Sequence, residues 1–280
     1  MGKTTLSQAV KKIKNVEIQG AREIALFSLK SLSDIAKRHG FGKEFKKASR
    51  KLDKARPTAV VLHNCLEIIN RVEKLDSIDN LIEKLESSDD KIVEAGIKLF
   101  RKKRYKILTH CHSSEAISLI KGLKREKKSI SVIVTKTDPL EQGVKTAKEL
   151  SKARIPITLI IDSAVGHFID DVDVVIVGTD AIRKEGVVNK IGTKLYSIAA
   201  KEHKKPVYVV GNILKLDRRK KIEIEQRPVM EIQKELSKPY RLNGIKIENP
   251  AFDITPWRYI TKIVTDEGVF TPSQIKRMLK

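Results

Sequence analysis

The chain of 280 residues carries 57 Lys and Arg against 35 Asp and Glu, giving a formal net charge of +22, and 40% of its residues are hydrophobic. This length fits one large domain or two ordinary ones, and the hydrophobic fraction excludes a globally disordered chain. Only 5% of the residues are aromatic, which argues against a nucleic-acid binder built on base stacking. The positive charge attracts phosphates, nucleic acid or an acidic protein, although charges spread along a chain also fit a solvated lysine-rich surface.

The two cysteines indicate a reducing compartment. Cys65 and Cys111 lie far apart and lack C-x-x-C spacing, so no disulfide framework is expected. Cys65 falls within an apolar helical stripe, which indicates a core residue. The N-terminal segment lacks the apolar stretch of a secretion signal, and no apolar run approaches the length of a membrane span. We therefore expect a cytoplasmic protein with no membrane partner.

Residues 1–104 are predicted to form a helical N-terminal domain. Apolar residues recur at helical spacing over 21–40, and that pattern ends at Gly40. A further helix follows Pro57, a residue that favours the first helical turn, and 77–104 supplies one or two charged helices.

From Tyr105 onward the pattern changes, and short apolar runs rich in β-branched residues alternate with helical stretches. Strands and helices alternating at this spacing predict βαβ units and a parallel sheet buried between helices, so 105–280 is expected to form an α/β domain. The sequence has no G-x-G-x-x-G and no P-loop, so no nucleotide cofactor is expected. The predicted strands are 106–110, 130–135, 157–162, 172–178 and 206–211.

Polar side chains follow each predicted strand, at the carboxyl end where open α/β sheets bind their ligands. Because these ends meet at one rim, we expect the side chains to converge. A thiol, a carboxylate and a lysine together suit acid/base chemistry on an anionic substrate. The groups that follow the five strands, in chain order, are Cys111; Lys136 and Asp138; Asp162 and Ser163; Asp180; and Lys215.

Cys111 lies between His110 and His112, just before a helix predicted to start near Ser113. The free N–H groups of a helix start favour a thiolate, so we expect a lowered thiol pKa and a functional thiol. One alternative is a small residue that fills the turn. Zinc ligation is the least favoured alternative, because adjacent strand residues point in opposite directions and no second ligand pair has zinc spacing. No metal is therefore expected.

Asp180 follows a wholly apolar strand, so its carboxylate would be partly desolvated, which suits proton transfer; a loop Asp bonded to nearby backbone is the alternative. The segment 186–193 is predicted to be a loop that ends in a helix start. Asn189 is the expected cap and Lys190 lies in the expected first turn. A lysine at this end opposes the helix dipole unless an anion binds there.

Four segments carry a resemblance to a known family: "THCHS", "IPITLIIDSAVG", "VGTDAIRKEGVVNKIGT" and "NPAFDITPWRYITKIVTDEGVFTP". They resemble the sugar-phosphate isomerases related to translation initiation factor 2B. That superfamily includes ribose-1,5-bisphosphate isomerase, methylthioribose-1-phosphate isomerase and the alpha, beta and delta subunits of the initiation factor. The match covers about 105–275 and extends weakly into the helical half. It implies a helical N-terminal domain, then a Rossmann-like domain, in a homodimer or homohexamer.

The resemblance also implies residue roles. The enzymes of the group use a Cys after the first strand and an Asp after the fourth, which correspond to Cys111 and Asp180, whereas the initiation-factor subunits generally lack this pair. A phosphorylated sugar is the implied substrate, with a nucleotide monophosphate as a candidate effector and no cofactor. The implied substrate or phosphate contacts are Gly20, Ala21, Arg22, Arg56, Ser113, Asn189, Lys190 and Lys215.

The chain departs from the enzymes in the ligand cradle. Their Arg-Gly-Ala begins here with Gln19, and Arg22 is the candidate replacement for the missing arginine. Where the enzymes read Glu-Thr-Arg-Pro, this chain reads Lys-Thr-Asp-Pro, so both charges are inverted, at Lys136 and Asp138. These two side chains would either pair with each other in reverse, or Asp138 would repel a phosphate. Where the enzymes read Glu-Thr-Tyr-Lys-Phe, this chain reads Asn-Ile-Leu-Lys-Leu and keeps only the lysine, Lys215.

Three hypotheses follow. The first is an aldose–ketose isomerase, with ribose 1,5-bisphosphate as the favoured substrate. The second is a non-catalytic regulatory protein of the initiation factor 2B type, which binds a nucleotide or a protein partner such as initiation factor 2. The third is an isomerase of another sugar phosphate. The pair Cys111 and Asp180 favours the first and third hypotheses, and the altered cradle favours the second.

Overall fold

A computed structural model describes residues 6–15, 18, 20–221, 224–234 and 244–280. Gln19, the position of the missing arginine, lies outside these residues. The chain separates into two compact units: 1–88 with 212–217, and 89–211 with 218–280. This division falls earlier than residue 105, and the short segment 212–217 returns to the helical unit.

The helical unit is built around a core of aliphatic side chains. Leu29 and Leu32 of its longest helix are fully buried, as are Leu52 and Leu62 of the next two. Cys65 belongs to the same cluster, where burial raises its thiol pKa to about 12. The helix expected after Pro57 begins three residues later. The helices of this unit are α1 (Leu6–Lys14), α2 (Ala21–His39), α3 (Lys43–Ala55), α4 (Val60–Val72) and α5 (Leu75–Glu86), and α6 (Ser88–Ile97) begins at the boundary between the units.

The second unit alternates strands and helices, as the sequence predicts. Its strands are β1 (Arg104–Thr109), β2 (Ser129–Thr135), β3 (Ile157–Ile160), β4 (Val174–Val177), β5 (Ala181–Ile182), β6 (Gly186–Lys190), β7 (Val207–Val210), β8 (Phe252–Pro256), β9 (Lys262–Thr265) and β10 (Gly268–Phe270). Its helices are α7 (Ser114–Arg125), α8 (Gln142–Lys152), α9 (Val165–Phe168), α10 (Thr193–Glu202), α11 (Met230–Gln233) and α12 (Pro272–Met278).

A seven-stranded sheet organises this unit, in the order β10-β9-β7-β4-β1-β2-β3. Its strands are parallel except for β10, which runs antiparallel to β9. The predicted α/β class is therefore confirmed. All five predicted strands are present, as β1, β2, β3, β4 and β7. The remaining strands of this unit, β9 and β10 and the separate antiparallel sheet β5-β6-β8, were not predicted from the sequence.

Both faces of the central sheet are buried. Ile107, Val132 and Val174 face one cluster, which also contains Ile117 and Ile120 of α7. The alternating strand residues Leu108, Ile133, Val175 and Val209 point to the other face and are also buried. Burial on both faces explains why these strands read as continuous apolar runs rather than as alternating patterns.

Within the described part of the chain, no helix is both long enough and apolar enough to cross a membrane.

The strand order creates a crevice at the middle of the sheet. From β1 the chain moves outward through β2 to β3, whereas from β4 it moves the opposite way through β7 to β9. β1 and β4 pair directly, with Ile107 opposite Val174 and Leu108 opposite Val175. Ligands of open α/β sheets bind beyond the carboxyl ends of the two strands where the order reverses. The loops after β1 and β4 are therefore the expected ligand site.

The packing of α8 onto β2 gives a stability prediction. A Cβ added at Gly143 would collide with the backbone carbonyl oxygen of Thr135. Gly143→Ala is therefore expected to lower the free energy of unfolding by about 1–3 kcal/mol through overpacking. Gly166→Ala is the matched control, since open space surrounds that exposed position, and it should be neutral or stabilising by about 0.4–1 kcal/mol. Urea unfolding of both variants checks this, and equal effects would refute the packing argument.

Candidate active site

The loops after β1 and β4 touch each other in the crevice. A Cβ at Gly178, directly after β4, would lie 2.5 Å from Cβ and Oγ of Ser113. Ser113 caps α7, because its hydroxyl accepts the N–H of Ala116 at 3.3 Å and donates to Glu115 at 3.0 Å. The predicted helix start is thus observed. Glycine at 178 lets the two loops approach, which places Cys111 and Asp180 at the same end of the sheet.

Cys111 has a left-handed backbone, with φ of 67°. Such a conformation is strained for a residue with a side chain and needs support from its surroundings. Two threonines supply it: the Cys111 N–H donates to Thr137 Oγ1 at 3.0 Å, and Thr146 Oγ1 donates to the Cys111 carbonyl at 2.7 Å. The hydrogen bonds fix both backbone groups of the residue that carries the thiol.

His110 anchors the threonines from the other side. Its Nε2 lies 2.8 Å from the carbonyl of Ile191, which only accepts, so Nε2 carries the proton and Nδ1 accepts from Thr135 Oγ1 at 2.6 Å. Thr137 Oγ1 lies 3.2 Å from the same Nδ1. Burial is the main cause that lowers the His110 pKa to about 4, so the ring is neutral near pH 7. A positive imidazolium therefore does not assist the thiol.

The thiol itself differs from the sequence-based expectation. Burial raises the Cys111 pKa to about 12, against the backbone N–H of His112, which lowers it. The negative charges of Asp180 and Asp162 raise the pKa further, and the positive charge of Lys190 opposes them. The prediction of a lowered pKa was wrong because burial outweighs the backbone N–H of His112, which by itself favours the thiolate. Cys111 is accordingly a protonated thiol near neutral pH.

Asn189 and Lys190 do not lie at a helix start. They belong to β6, which pairs with β8, and the cap of α10 is Gly192. The predicted loop over 186–193 with an Asn189 cap was therefore wrong, as was the placement of Lys190 in a first helical turn. The segment has no alternation of apolar and polar residues that would reveal the strand, because every residue of β6 is buried. Asn189 instead donates to Thr193 Oγ1 at 2.9 Å.

Lys190 is nevertheless close to the thiol. It is 6% exposed, burial lowers its pKa, and the nearby Cys111 partly opposes that shift. Asp180 is half-buried, and its backbone N–H donates to the carbonyl of Val188 at 2.8 Å. Cys111, Asp180 and Lys190 thus interact electrostatically at one rim of the sheet.

Two further residues complete the rim and had no assigned role in the sequence analysis. Asp162 accepts the backbone N–H groups of Thr137 and Asp138, and the hydroxyl of Tyr196 at 2.8 Å. Tyr196 also packs edge-on against His110, with ring centroids 4.8 Å apart. The position of Asp162 directly after β3 was a usable signal, whereas Tyr196 lies inside α10 and had none.

Asp253 occupies the N-terminus of α10. Its carboxylate accepts the N–H of Gly192 at 2.9 Å and that of Lys194 at 3.1 Å. The helix end that was predicted to attract a substrate anion is thus bonded to a protein carboxylate. The segment "DITP" of the family resemblance contains this residue, so its motif was visible in the sequence while its role was not.

The inverted charges after β2 form a pair, with Lys136 Nζ at 2.8 Å from Asp138 and at 3.3 Å from Glu141. This is the reversed pairing considered from the sequence. Among the described residues, no group of three or more His, Cys, Asp or Glu side chains is placed to hold a metal ion.

The remaining predicted contacts belong to the helical unit. Gly20 caps α2 with φ of 90°, Ala21 is the first helical residue, and Arg22 pairs with Glu23 at 3.4 Å. Arg56 ends α3. Lys215 is 3% exposed and lies in the segment whose neighbouring carbonyls, at 214 and 216, accept from the Asn64 amide.

Comparison with known proteins matches residues 17–272 to the family model described as "Initiation factor 2 subunit family". The chain belongs to this family. It is 38% identical to a ribose 1,5-bisphosphate isomerase of Archaeoglobus fulgidus, over 95% of the chain and 89% of that protein. It is also 31% identical to a methylthioribose-1-phosphate isomerase of Pelotomaculum thermopropionicum, over 99% of the chain and 86% of that protein.

Solved structures of the family share the fold. A Pyrococcus horikoshii OT3 protein described as translation initiation factor eIF-2B superposes with a TM-score of 0.82 at 25% identity, covering 96% of the chain and 98% of that protein. A 5-methylthioribose 1-phosphate isomerase from Pyrococcus horikoshii OT3 gives 0.76 at 26% identity, covering 98% and 87%. The resemblance stated from the sequence is confirmed.

The support of Cys111 gives a second prediction for this family member. Thr137→Val removes the acceptor of the Cys111 N–H, which should lower the free energy of unfolding by about 1–3 kcal/mol, the range for a buried donor left without a partner. Thr158→Val, at an exposed position of β3, is the matched control, and its free energy of unfolding should stay within about 0.5 kcal/mol of the parent value. Denaturant titrations measure both, and a Thr137 effect no larger than the control would contradict this role.

Asp253 gives a pH-dependent prediction. Burial raises its pKa from 3.8 to about 6, so between these values the folded chain holds a proton that the unfolded chain releases. Stability from this carboxyl is full below about pH 4 and is lost as the pH rises through 6. Between about pH 4 and 7, the free energy of unfolding of the parent chain should therefore fall by at most about 3 kcal/mol relative to that of Asp253→Asn. Unfolding curves whose difference stays constant over that range would refute the assignment.

Proposed function

We propose that this chain isomerises ribose 1,5-bisphosphate to ribulose 1,5-bisphosphate, with Cys111 and Asp180 as the acid/base pair. The observation that carries the proposal is their placement after β1 and β4, the two paired strands at which the strand order reverses. Their electrostatic interaction supports the proposal that one small substrate contacts both groups. This geometry supports the residue pair, and relatives named ribose 1,5-bisphosphate isomerase support the substrate.

The enzyme class is confirmed at the level of an isomerase that acts on a phosphorylated sugar. Relatives at 38% identity in Archaeoglobus fulgidus and in Methanocaldococcus jannaschii are both named ribose 1,5-bisphosphate isomerase, and each is matched over 95% of this chain. The methylthioribose-1-phosphate isomerases match at a lower identity of 31%. The higher identity of the two relatives at 38% supports the bisphosphate as the substrate.

The conversion needs both a proton donor and a proton acceptor. Opening the furanose ring breaks the bond between C1 and the ring oxygen, and that oxygen gains a proton. Forming the ketone removes the proton of the C2 hydroxyl, while the hydrogen on C2 moves to C1. A thiol with a pKa of about 12 is matched to an alkoxide leaving group, so Cys111 enters as the acid. Asp180 then accepts the proton from the C2 hydroxyl.

Lys190 is suited to hold the negative charge of this reaction. Its ammonium already lowers the pKa of the Cys111 thiol, so it stabilises the thiolate that proton donation leaves behind. The N-terminus of α10 is bonded to Asp253, so attraction for a phosphate must come from side chains such as Lys190. Contacts from Gly20, Ala21, Arg22, Arg56, Ser113, Asn189 and Lys215 remain part of the proposal by resemblance. A homodimer or homohexamer and a nucleotide monophosphate effector belong to it on the same basis.

The second candidate is a non-catalytic regulatory protein, favoured by the solved structure described as eIF-2B, with its TM-score of 0.82. Binding of a protein partner would not require a protonated thiol facing a carboxylate across the crevice. A third candidate, an isomerase of another sugar phosphate, is favoured by the reversed Lys136–Asp138 pair beside the rim. Assays with ribose 1,5-bisphosphate and with methylthioribose 1-phosphate, with and without nucleotide monophosphates, separate the three.

The acid/base assignment predicts a specific loss of turnover. Cys111→Ser keeps the side-chain size but provides a weaker acid, and Asp180→Asn keeps the shape but cannot exchange a proton. Each should lower kcat by about 10²–10⁴-fold while substrate affinity measured by calorimetry changes little. The double variant should lose little more than either single one, because both groups serve one conversion. Asp171→Asn, an exposed carboxylate in the loop before β4, is the matched control and should keep parental turnover. Parental kcat in both site variants would end the proposal, and absence of turnover in the parent chain would favour the regulatory protein.

A further inference from the structure

Helix α3 carries a continuous stripe of positive charge on one face. Six lysine and arginine side chains form this stripe. All of them are exposed, and together they border one shallow depression on the surface. They recur at intervals of three and four residues, the spacing that places side chains on one side of a helix. The residues of this basic face are Lys43, Lys46, Lys47, Arg50, Lys51 and Lys54.

The rest of α3 serves the fold. Phe45, Ala48 and Leu52 lie on the opposite side of the helix and are buried in the helical unit's core. The two acidic residues flank that buried side and face histidines: Glu44 pairs with His39 at 3.4 Å and Asp53 with His63 at 3.1 Å. The helix thus separates its core contacts and its acidic groups from the basic face.

The basic face opposes the stability of its own helix. Cations one turn apart repel one another, and Lys43 and Lys46 lie in the first turn, where the helix dipole disfavours positive charge. Within the described ranges, the single ion pair of this face joins Lys46 to Glu73 at 2.9 Å. Packing of the unit therefore does not explain the arrangement, whereas a row of cations on one face attracts an extended polyanion.

We propose that the basic face of α3 binds the phosphodiester backbone of a nucleic acid without reading its sequence. From 43 to 54 the face extends about 16 Å, at about 1.5 Å per residue, which is long enough to contact several successive phosphates. Lysine and arginine contacts to phosphates provide affinity without base recognition. The face has no aromatic residue for base stacking, and it has no apolar centre of the kind that protein–protein interfaces contain.

The net charge of +22 supports this partner through long-range attraction. Each phosphate contact releases counterions, so affinity should fall steeply with salt. For single strands the slope of log affinity against log salt is about −0.7 per contact. Five or six contacts predict a slope of about −4, which is a loss of at least about 100-fold between 50 and 200 mM salt.

Fluorescence anisotropy with a labelled 20-nucleotide single-stranded RNA of mixed sequence tests the proposal on the full chain. The variant Lys47→Gln, Arg50→Gln, Lys51→Gln should bind at least about 10-fold more weakly at 50 mM salt and have a slope shallower by about 2. The control variant Arg125→Gln, Lys145→Gln, Lys148→Gln removes the same charge from exposed positions of α7 and α8 and should keep the parental slope.

Thermal unfolding and isomerase turnover of both triple variants show whether each is folded, since none of the positions substituted in the two variants belongs to the candidate active site. Equal weakening by the two triple variants would overturn the proposal, because net charge alone would then explain the binding. Absence of RNA binding by the parent chain at 50 mM salt would also overturn it. If polyglutamate of equal length displaced the RNA as well as unlabelled RNA does, the partner would be an acidic protein and the nucleic-acid assignment would be wrong.

Discussion

The pairing of β1 with β4 is the constraint on which the candidate site depends. The chain leaves these neighbours in opposite directions, which is the arrangement that opens a crevice between the carboxyl ends of two paired strands. Cys111 and Asp180, which are separated by almost 70 positions in the sequence, thereby lie at the same end of the sheet and interact electrostatically. Gly178 sets how close the loops come, since any side chain there would displace Ser113. The network of hydrogen bonds that holds Cys111 lies beside the point where these two loops meet.

That network supports a backbone conformation that a thiol-bearing residue would otherwise avoid. Glycine is the ordinary choice at φ of 67°, yet a glycine would remove the thiol. Thr137 and Thr146 bind the two backbone groups of Cys111, and His110 holds Thr135 and Thr137 in register. A neutral His110 is necessary here, because its Nδ1 accepts a hydrogen bond and an imidazolium could only donate. Burial provides that neutrality by lowering its pKa to about 4.

The sequence predicts elements whose signal is local and misses those defined by tertiary contacts. The five strands of the parallel sheet are short apolar runs between helices, and both the α/β class and the residues at the strand ends follow from them. β6 is different, because all five of its residues are buried and the segment contains Asn189 and Lys190, which local patterns assign to a loop. Its strand identity comes from β8, more than 60 residues away, and no local pattern contains that information. Tyr196 likewise reaches Asp162 only through the packing of α10.

The error about the Cys111 thiol has the same origin and changes the chemistry. Sequence proximity to a helix start predicts a thiolate, but the ionisation of a thiol depends on solvent access and on the charges that fold against it. In the folded chain, burial and two carboxylates favour the protonated thiol, whereas the backbone N–H of His112 and the charge of Lys190 favour ionisation and are outweighed. A thiolate would suit nucleophilic attack, whereas a thiol with a pKa of about 12 suits donation of a proton to an alkoxide. The environment of the half-buried Cys111 therefore supports the proposed acid catalysis over covalent catalysis, and in that proposal Lys190 stabilises the thiolate once the proton has left.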